Sequence, residues 1–421
     1  MRGNTRLVLI LAAVLALIPA LALSAGGTKE APSTTTITWG YWGSPSEVEE
    51  NKGVAAAFEQ AYPNIKVDHM TAPWGDYFTK LQTQFAAKSA PDVMFLTLIS
   101  TYAPMGVLKE MDPLFAQYKF DKSKYPPGTL DGFTVAGKLY GVPRDNDTKV
   151  VFVNKDLFAD AGVSIPAKAW STDEFVSAAQ KLTKKKADGT QQYGVMFDPG
   201  NWYLYVFMNE GTMFDNDGAP TKVAFDDAAL QGLQWAGDLI NTAKVTPAFD
   251  QLNDGTIRLQ MFLNGQVGML IDNHAQVPTL LATKGLNWDI APLPTFPGKG
   301  HHNVAGGAGY TISAYTKNQD ASWTFWKFLN TEGIKMYMKD GTMTPVNLDL
   351  LNSADFSQGK PYNARVFVDE TIAGHGFPNN TKWWNVYSKA NPFFERIWAS
   401  GDTATSAYAA AQPELQKELQ Q

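Results

Sequence analysis

The sequence predicts an α/β fold built on parallel strands with helical crossovers. Three observations carry this. The apolar pattern switches repeatedly between a strand period and a helix period. Short valine- and isoleucine-rich runs lie between Pro, Gly and Asp punctuation. The chain has 421 residues, 44% of them hydrophobic, and no cysteine, so a large core must hold it without disulfides.

The elements follow in order. Thr36-Ile37-Thr38-Trp39 reads as a strand. Ser44 or Ser46 is placed to cap a helix carrying Val54, Ala55 and Phe58, and Pro63 ends it. Ile65 and Val67 alternate with polar neighbours, as in a strand. Tyr77, Leu81 and Phe85 recur at every fourth residue, which puts them on one helical face. Pro91-Asp92 leads into Val93-Met94-Phe95-Leu96, a run suited to a buried parallel strand. The order strand–helix–strand–helix–strand calls for parallel pairing.

A second unit starts near Tyr140. Lys149 to Asn154 is a valine-rich strand, and Asp156 to Ala161 is one helical turn closed by Gly162. Ser171 or Thr172 caps a helix carrying Phe175, Ala178, Ala179 and Leu182. Asp215-Asn216-Asp217-Gly218 resembles the start of a calcium loop but lacks its spacing and closing Glu, so it reads as a hairpin turn.

The first residues form a separate segment. Arg2 and Arg6 precede the apolar run Leu7 to Leu23, and Ser24-Ala25-Gly26-Gly27 follow. This is the layout of a secretory signal peptide, residues 1–25, followed by a disordered polar linker, residues 26–35. An uncleaved anchor is the rival reading, since the run is near the lower limit for spanning a bilayer. The formal net charge of -6 argues against a nucleic-acid partner.

Catalytic motifs are scarce. The sequence has no G-x-S-x-G, H-E-x-x-H or phosphate-loop signature. No cofactor or metal is expected: His301-His302 sits in a Gly/Pro-rich loop and reads as a solvated pair. The aromatics say more. Trp39, Trp42, Trp74, Trp202, Trp383 and Trp384 fall at expected loops beside polar residues or glycine. Indole plates with amide and carboxylate neighbours suit the C–H faces and hydroxyl rims of sugars. The competing reading of each is a core tryptophan.

The order of segments resembles the sugar-binding proteins of ABC importers, of the maltose-binding-protein type. It runs through ITWGYWGS, AFEQAYPNIKV, PWGDYFTKLQTQFAAKSAPDVMF and LYGVPRDNDTKVVFVNKDLFADAGVSIPAKAWSTDEFVSAAQKL. FLNGQVGMLIDN, WDIAPLPTFPG, NVAGGAGYTIS and SWTFWKFLN complete it. The resemblance implies a type II-like periplasmic-binding-protein fold, two lobes joined by crossing hinge strands with the ligand in the cleft. Lobe 1 would hold residues 36–143 and 306–344, and lobe 2 residues 144–305 and 345–421.

Contact positions carried over from the family fall on Tyr41, Trp42 and Ser44 after the first strand. Asp147 follows at the first crossing, with Arg144 and Asn146 nearby. Asp198, Trp202, Tyr203, Asp272, Asn273, Gly306, Gly307, Arg365 and Trp383 complete the set, and Trp74 joins it as one of the loop tryptophans. The chain departs from the pattern at His274-Ala275, where a tryptophan is usual, and at Leu96-Thr97-Leu98-Ile99-Ser100, where aromatic and charged contacts are usual. Maltose is therefore not assigned. The lipid-anchor cysteine of related proteins is missing too, so a free periplasmic protein is expected.

The resemblance implies a monomeric, non-enzymatic carbohydrate-binding subunit working with membrane permease subunits. The alternatives are binding of a polyamine or phosphodiester on the same fold, or a secreted carbohydrate-active enzyme.

Overall fold

The computed structural model describes residues 34–421 apart from 44, 167, 341, 342 and 379. The expected leader, most of the linker and Ser44 lie outside the described residues. β1 (Thr35–Trp42) begins inside the stretch expected to be linker and runs three residues past Trp39. Ile37, Trp39 and Tyr41 alternate inward and are fully buried. α1 (Pro45–Ala61) leads to β2 (Ile65–Ala72), and α2 (Trp74–Ala86) to β3 (Val93–Leu96). β1 pairs in parallel with both β2 and β3, as the element order requires. Tyr77, Leu81 and Phe85 form the buried stripe of α2. β4 (Gly141–Pro143) then ends this part of the chain.

The chain leaves the first sheet after β4 and builds a second. β5 (Val150–Asn154) is buried along its whole length. α3 (Thr172–Leu182) starts from a capping box in which Ser171 and Glu174 bond each other's backbone. β6 (Lys184–Lys185), β7 (Gln191–Met196), α4 (Trp202–Met208), α5 (Asp227–Asn241), β8 (Val267–Asp272) and β9 (Trp288–Ala291) follow. The sheet order is β9-β5-β8-β7-β6. The chain returns through β10 (Asn303–Ala305) to β11 (Gly309–Ile312), which inserts between β3 and β4. α6 (Arg365–Ile372), β12 (Gly374–Gly376), which pairs with β10, and α7 (Trp383–Ala399) follow.

The parallel pairing expected of the first strand–helix–strand–helix–strand unit is present, while the strands outside that unit are mixed. β1–β3 are parallel, and so are β7 and β8, but β11 runs antiparallel to both neighbours and β5 to β8 and β9. Strands that arrive by crossing between the sheets enter from the opposite end, which local periodicity does not encode. Asp145 and Pro345 form an antiparallel bridge, laying two crossing segments side by side between the lobes. Asp215–Gly218 lies in a loop closed by the Phe214–Val223 bridge, with the Asp215 carboxylate accepting the Thr221 and Lys222 amides. No described helix is long and apolar enough to cross a membrane.

Candidate functional site

The register of the second sheet collects charge at one edge. Met196 of β7 pairs with Leu270 of β8, so Asp198 and Asp272 each lie two residues past the paired positions. Val150 of β5 pairs with Asp272, which brings Lys149 and Asp147 to the same edge. In open α/β sheets this is where ligands bind.

Lys149 Nζ lies 2.9 and 3.0 Å from the two oxygens of Asp147. Burial disfavours its charge, but the carboxylates of Asp147, Asp272 and Asp198 together raise its pKa. Asn273 Nδ2 donates to Asp147 as well. Asp272 accepts the Asn273 amide at 2.8 Å and Gln276 Nε2 at 3.1 Å. Burial pushes its pKa up, with Lys149 opposing. Asp198 caps a short 3-10 turn, accepting the Gly200 amide, and pairs with Arg258 at 2.8 Å. This edge holds three carboxylates and two cations.

On the side of the first sheet, Trp42 stacks on Phe95 at 4.4 Å between centroids. The Arg144 guanidinium covers Phe95 at 4.1 Å and pairs with Asp145, its Nε donating at 2.8 Å. Trp74, 53% exposed, meets the edge of Trp42 at 4.8 Å. Trp42, Phe95 and Arg144 border a cavity of about 780 Å³ whose far wall is Ala275 and Pro278 of the second lobe, and Trp74 is not among its lining residues.

At the other end lies a cleft of about 560 Å³, lined by Thr97, Ser100, Asp145, Gly306, Trp383 and Trp384 among others. Phe377 and Trp383 stack there at 5.9 Å, with Trp384 5.4 Å from Phe377. Leu98 holds φ at +58°, a left-handed conformation uncommon for leucine, on this wall. The glycines allow close approach. A β-carbon on Gly306 would lie 2.1 Å from the Phe377 ring, and one on Gly307 2.5 Å from the Asp145 carbonyl oxygen. Asn146 Oδ1 accepts the Gly306 amide, while its Nδ2 has no partner. Trp383 Nε1, also on this cleft, is likewise unpartnered.

The structure thus gathers Trp42, Arg144, Asn146, Asp147, Asn273, Gly306, Gly307 and Trp383 around a space between the lobes. Asp198 and Asp272 join through the shared strand edge. Three expectations place differently. Tyr41 is buried inside β1 and spends its hydroxyl on His69 at 3.0 Å, because the strand continues where a loop was expected. Trp202 and Tyr203 start α4 inside the core, bonded to Asn391 and Asn201, and back Trp383 from behind at 6.0 and 6.3 Å. Arg365 pairs with Asp369 one helical turn on, at the exposed start of α6. Of the tryptophans expected in loops, Trp39 lies fully buried in the middle of β1, and the others sit at element ends: Trp42 closes β1, Trp74 opens α2, Trp202 opens α4, and Trp383 and Trp384 open α7.

Sequence reasoning left out Asp145 and Phe377, and it named Trp384 among the loop tryptophans but not among the contact positions. Asp145 is adjacent to two residues that were named, whereas Phe377-Pro378 carries no local signature. His301 and His302 are hydrogen-bonded to carboxylates, Glu370 at 2.9 Å and Glu210 at 3.2 Å respectively. They point to different carboxylates, and no described group of three or more His, Asp or Glu is placed to hold a metal ion.

Two α/β lobes facing each other across an aromatic and polar cleft, joined by crossing strands, define a ligand-binding protein of the two-lobe type. The chain belongs to the bacterial extracellular solute-binding protein family, whose profile matches residues 44–336. It is 23% identical over 420 residues to a galactooligosaccharide-binding protein of Bacillus subtilis, covering 95% of this chain and 92% of the relative. It is 25% identical over 331 residues to the maltodextrin-binding protein MdxE of the same organism, covering 76% of each. Among solved structures, an ABC substrate-binding protein of Listeria monocytogenes in complex with cycloalternan superposes with a TM-score of 0.77 at 25% identity, covering 91% of this chain and 99% of the other.

Proposed function

We propose that this protein is the substrate-binding component of a carbohydrate ABC import system. It captures a neutral sugar or oligosaccharide by closure of its lobes and presents it to a membrane permease. The observation that carries the reading is the cleft itself. Aromatic faces at both ends, Trp42 with Phe95 and Phe377 with Trp383 and Trp384, flank a polar strip of Asp145, Asn146, Asp147 and Asn273. Sugars present apolar faces and hydroxyl rims that match this arrangement. The sugar-named relatives support the same class.

Lobe 1 takes residues 36–143 and 306–344, and lobe 2 the rest of the mature chain, in keeping with sheet membership. A ligand touching both lobes favours the closed form by its differential affinity. Closure removes water and strengthens carboxylate–hydroxyl bonds. No covalent step is involved. The protein works as an exported, free periplasmic monomer without a cofactor.

A thermal-shift panel of ligand-stripped protein tests this. Neutral oligosaccharides should raise the melting temperature in a saturable manner, and polyamines or phosphodiesters should not. Product analysis of the sugar mixtures should show no turnover. A shift with phosphodiesters alone would keep the fold and replace the substrate class; turnover proportional to protein would make the chain an enzyme.

A further inference from the structure

Residues 144–149 and 303–308 carry the chain between the two sheets. They are bonded to each other at two levels. Near the cleft, the Asp147 amide donates to the Gly306 carbonyl at 2.6 Å, and the Gly306 amide donates to Asn146 Oδ1 at 3.0 Å. At their root in the second lobe a single side chain makes the join. Asn303 Oδ1 accepts the Lys149 amide at 3.1 Å, and Asn303 Nδ2 donates to the Lys149 carbonyl at 2.7 Å.

That join holds only while the Asn303 amide keeps its orientation. The Val304 amide donates to Oδ1 at 2.7 Å, and Nδ2 donates to Glu370 Oε2 at 2.6 Å. Glu370 lies on α6 and is 1% exposed. Its Oε1 accepts the Leu293 amide and bonds His301 Nε2, both at 2.9 Å. Burying a carboxylate is costly unless its charge is answered. The titratable group bonded to it is His301.

The His301 side chain is 28% exposed, so it exchanges protons with solvent while Glu370 lies behind it. Its Nδ1 is 2.9 Å from Thr295 Oγ1. A hydroxyl donates to a neutral ring nitrogen and accepts from a protonated one, so both states fit. What changes is the charge facing Glu370. Asp369, also on α6, adds negative charge near the ring and is itself paired with Arg365 at 2.9 Å. Glu210, from the loop after α4, is occupied by the Gly300 amide, His302 and Lys299.

We propose that His301 and Glu370 form a proton-sensitive clamp on the hinge, which positions Lys149 through Asn303 and so tunes the affinity of the cleft for its sugar. They are positioning residues and do not touch the sugar. Lys149 Nζ holds both oxygens of Asp147, a wall residue of the cleft, so a fixed Lys149 backbone fixes that carboxylate. With His301 protonated, both partners of its bond to Glu370 are charged and the clamp is tight. With His301 neutral, the buried carboxylate keeps only neutral donors and the clamp slackens. Binding favours the tight form and therefore the proton, and by reciprocity the proton favours binding. Affinity is then highest while His301 is protonated in the free protein. It falls as pH rises through the free protein's value and levels off above that of the complex. The inference rests on the proposed function and adds regulation of the same site.

The test is calorimetric titration of the full mature, ligand-stripped chain with a panel of neutral sugars, maltotriose and galactotriose among them, between about pH 6 and about pH 8.5. For whichever sugar binds, wild-type affinity should fall about fivefold across the range. His301→Gln keeps a donor towards Glu370 without a charge, and should bind at the high-pH wild-type level throughout. Glu370→Gln should flatten the profile too, because the charge that couples to His301 is gone. Proton NMR of the wild-type His301 ring should show it titrating at higher pH with sugar bound than without, and this reading decides should a variant fail to fold. A wild-type affinity independent of pH, a slope that persists in His301→Gln, or a ring titration that sugar leaves unmoved would overturn the clamp and leave the cleft reading standing. Absence of binding by any neutral sugar to folded wild type at every pH would overturn both.

Discussion

The ring of Phe377 rests against the backbone of Gly306, so closely that a β-carbon there would lie 2.1 Å from its Cε2 atom. Gly306 belongs to a segment crossing between the lobes, and Phe377 carries one face of the cleft. Gly306→Ala should therefore push the ring away. Overpacking of this kind costs about 1–3 kcal/mol. Denaturant melts should show that loss, and sugar affinity should fall by about tenfold or more because the stacking face moves. Unchanged stability and affinity would remove Phe377 from the site.

Trp383 and Trp384 are neighbours with different jobs. Trp383 is 1% exposed and packs on Trp202, Tyr203 and Phe377, whereas Trp384 is half-buried beside Phe377. Trp383→Ala should cost about 3–5 kcal/mol of stability as a large buried aromatic. Trp384→Ala should cost far less stability and still weaken sugar binding. Paired melts and titrations separate the two effects.

His301 supplies a pH dependence. Its hydrogen bond to the buried Glu370 carboxylate raises its pKa above the usual value, against partial desolvation, and Asp369 adds to the rise. A raised imidazole pKa means stabilisation that is complete below the unfolded value of about 6.5 and is lost as pH rises through the higher folded value. The melting temperature should carry a component that declines above about pH 6.5 and is absent in His301→Gln. Glu370 also accepts from Leu293 and Asn303, and Asn303 bonds the Lys149 backbone, so the lost bond loosens a network that reaches the hinge.

The core of lobe 1 was legible in the residues. Ile65 and Val67 alternate, Tyr77, Leu81 and Phe85 recur at helical spacing, and Val93–Leu96 is an unbroken apolar run. All three give the elements they predict, because each is fixed by neighbours in sequence. Tyr41 misled because alternation with Ile37 and Trp39 continues through it, a strand signal that was read as ending at Trp39. The insertion of β11 between β3 and β4 rests on pairings more than 150 residues apart, which no local period records. Phe377 meets Gly306 only through the same long-range folding, and for that reason the sequence marks Trp383 and Trp384 but not Phe377.

The central claim is that the cleft binds a neutral carbohydrate, and calorimetric titration of the stripped protein against neutral oligosaccharides measures that directly. The account predicts saturable one-to-one binding of a sugar class, lost or strongly weakened in Trp384→Ala. Full occupancy by the same sugar in that variant, or binding of phosphodiesters or polyamines with no response to any neutral sugar, would contradict it.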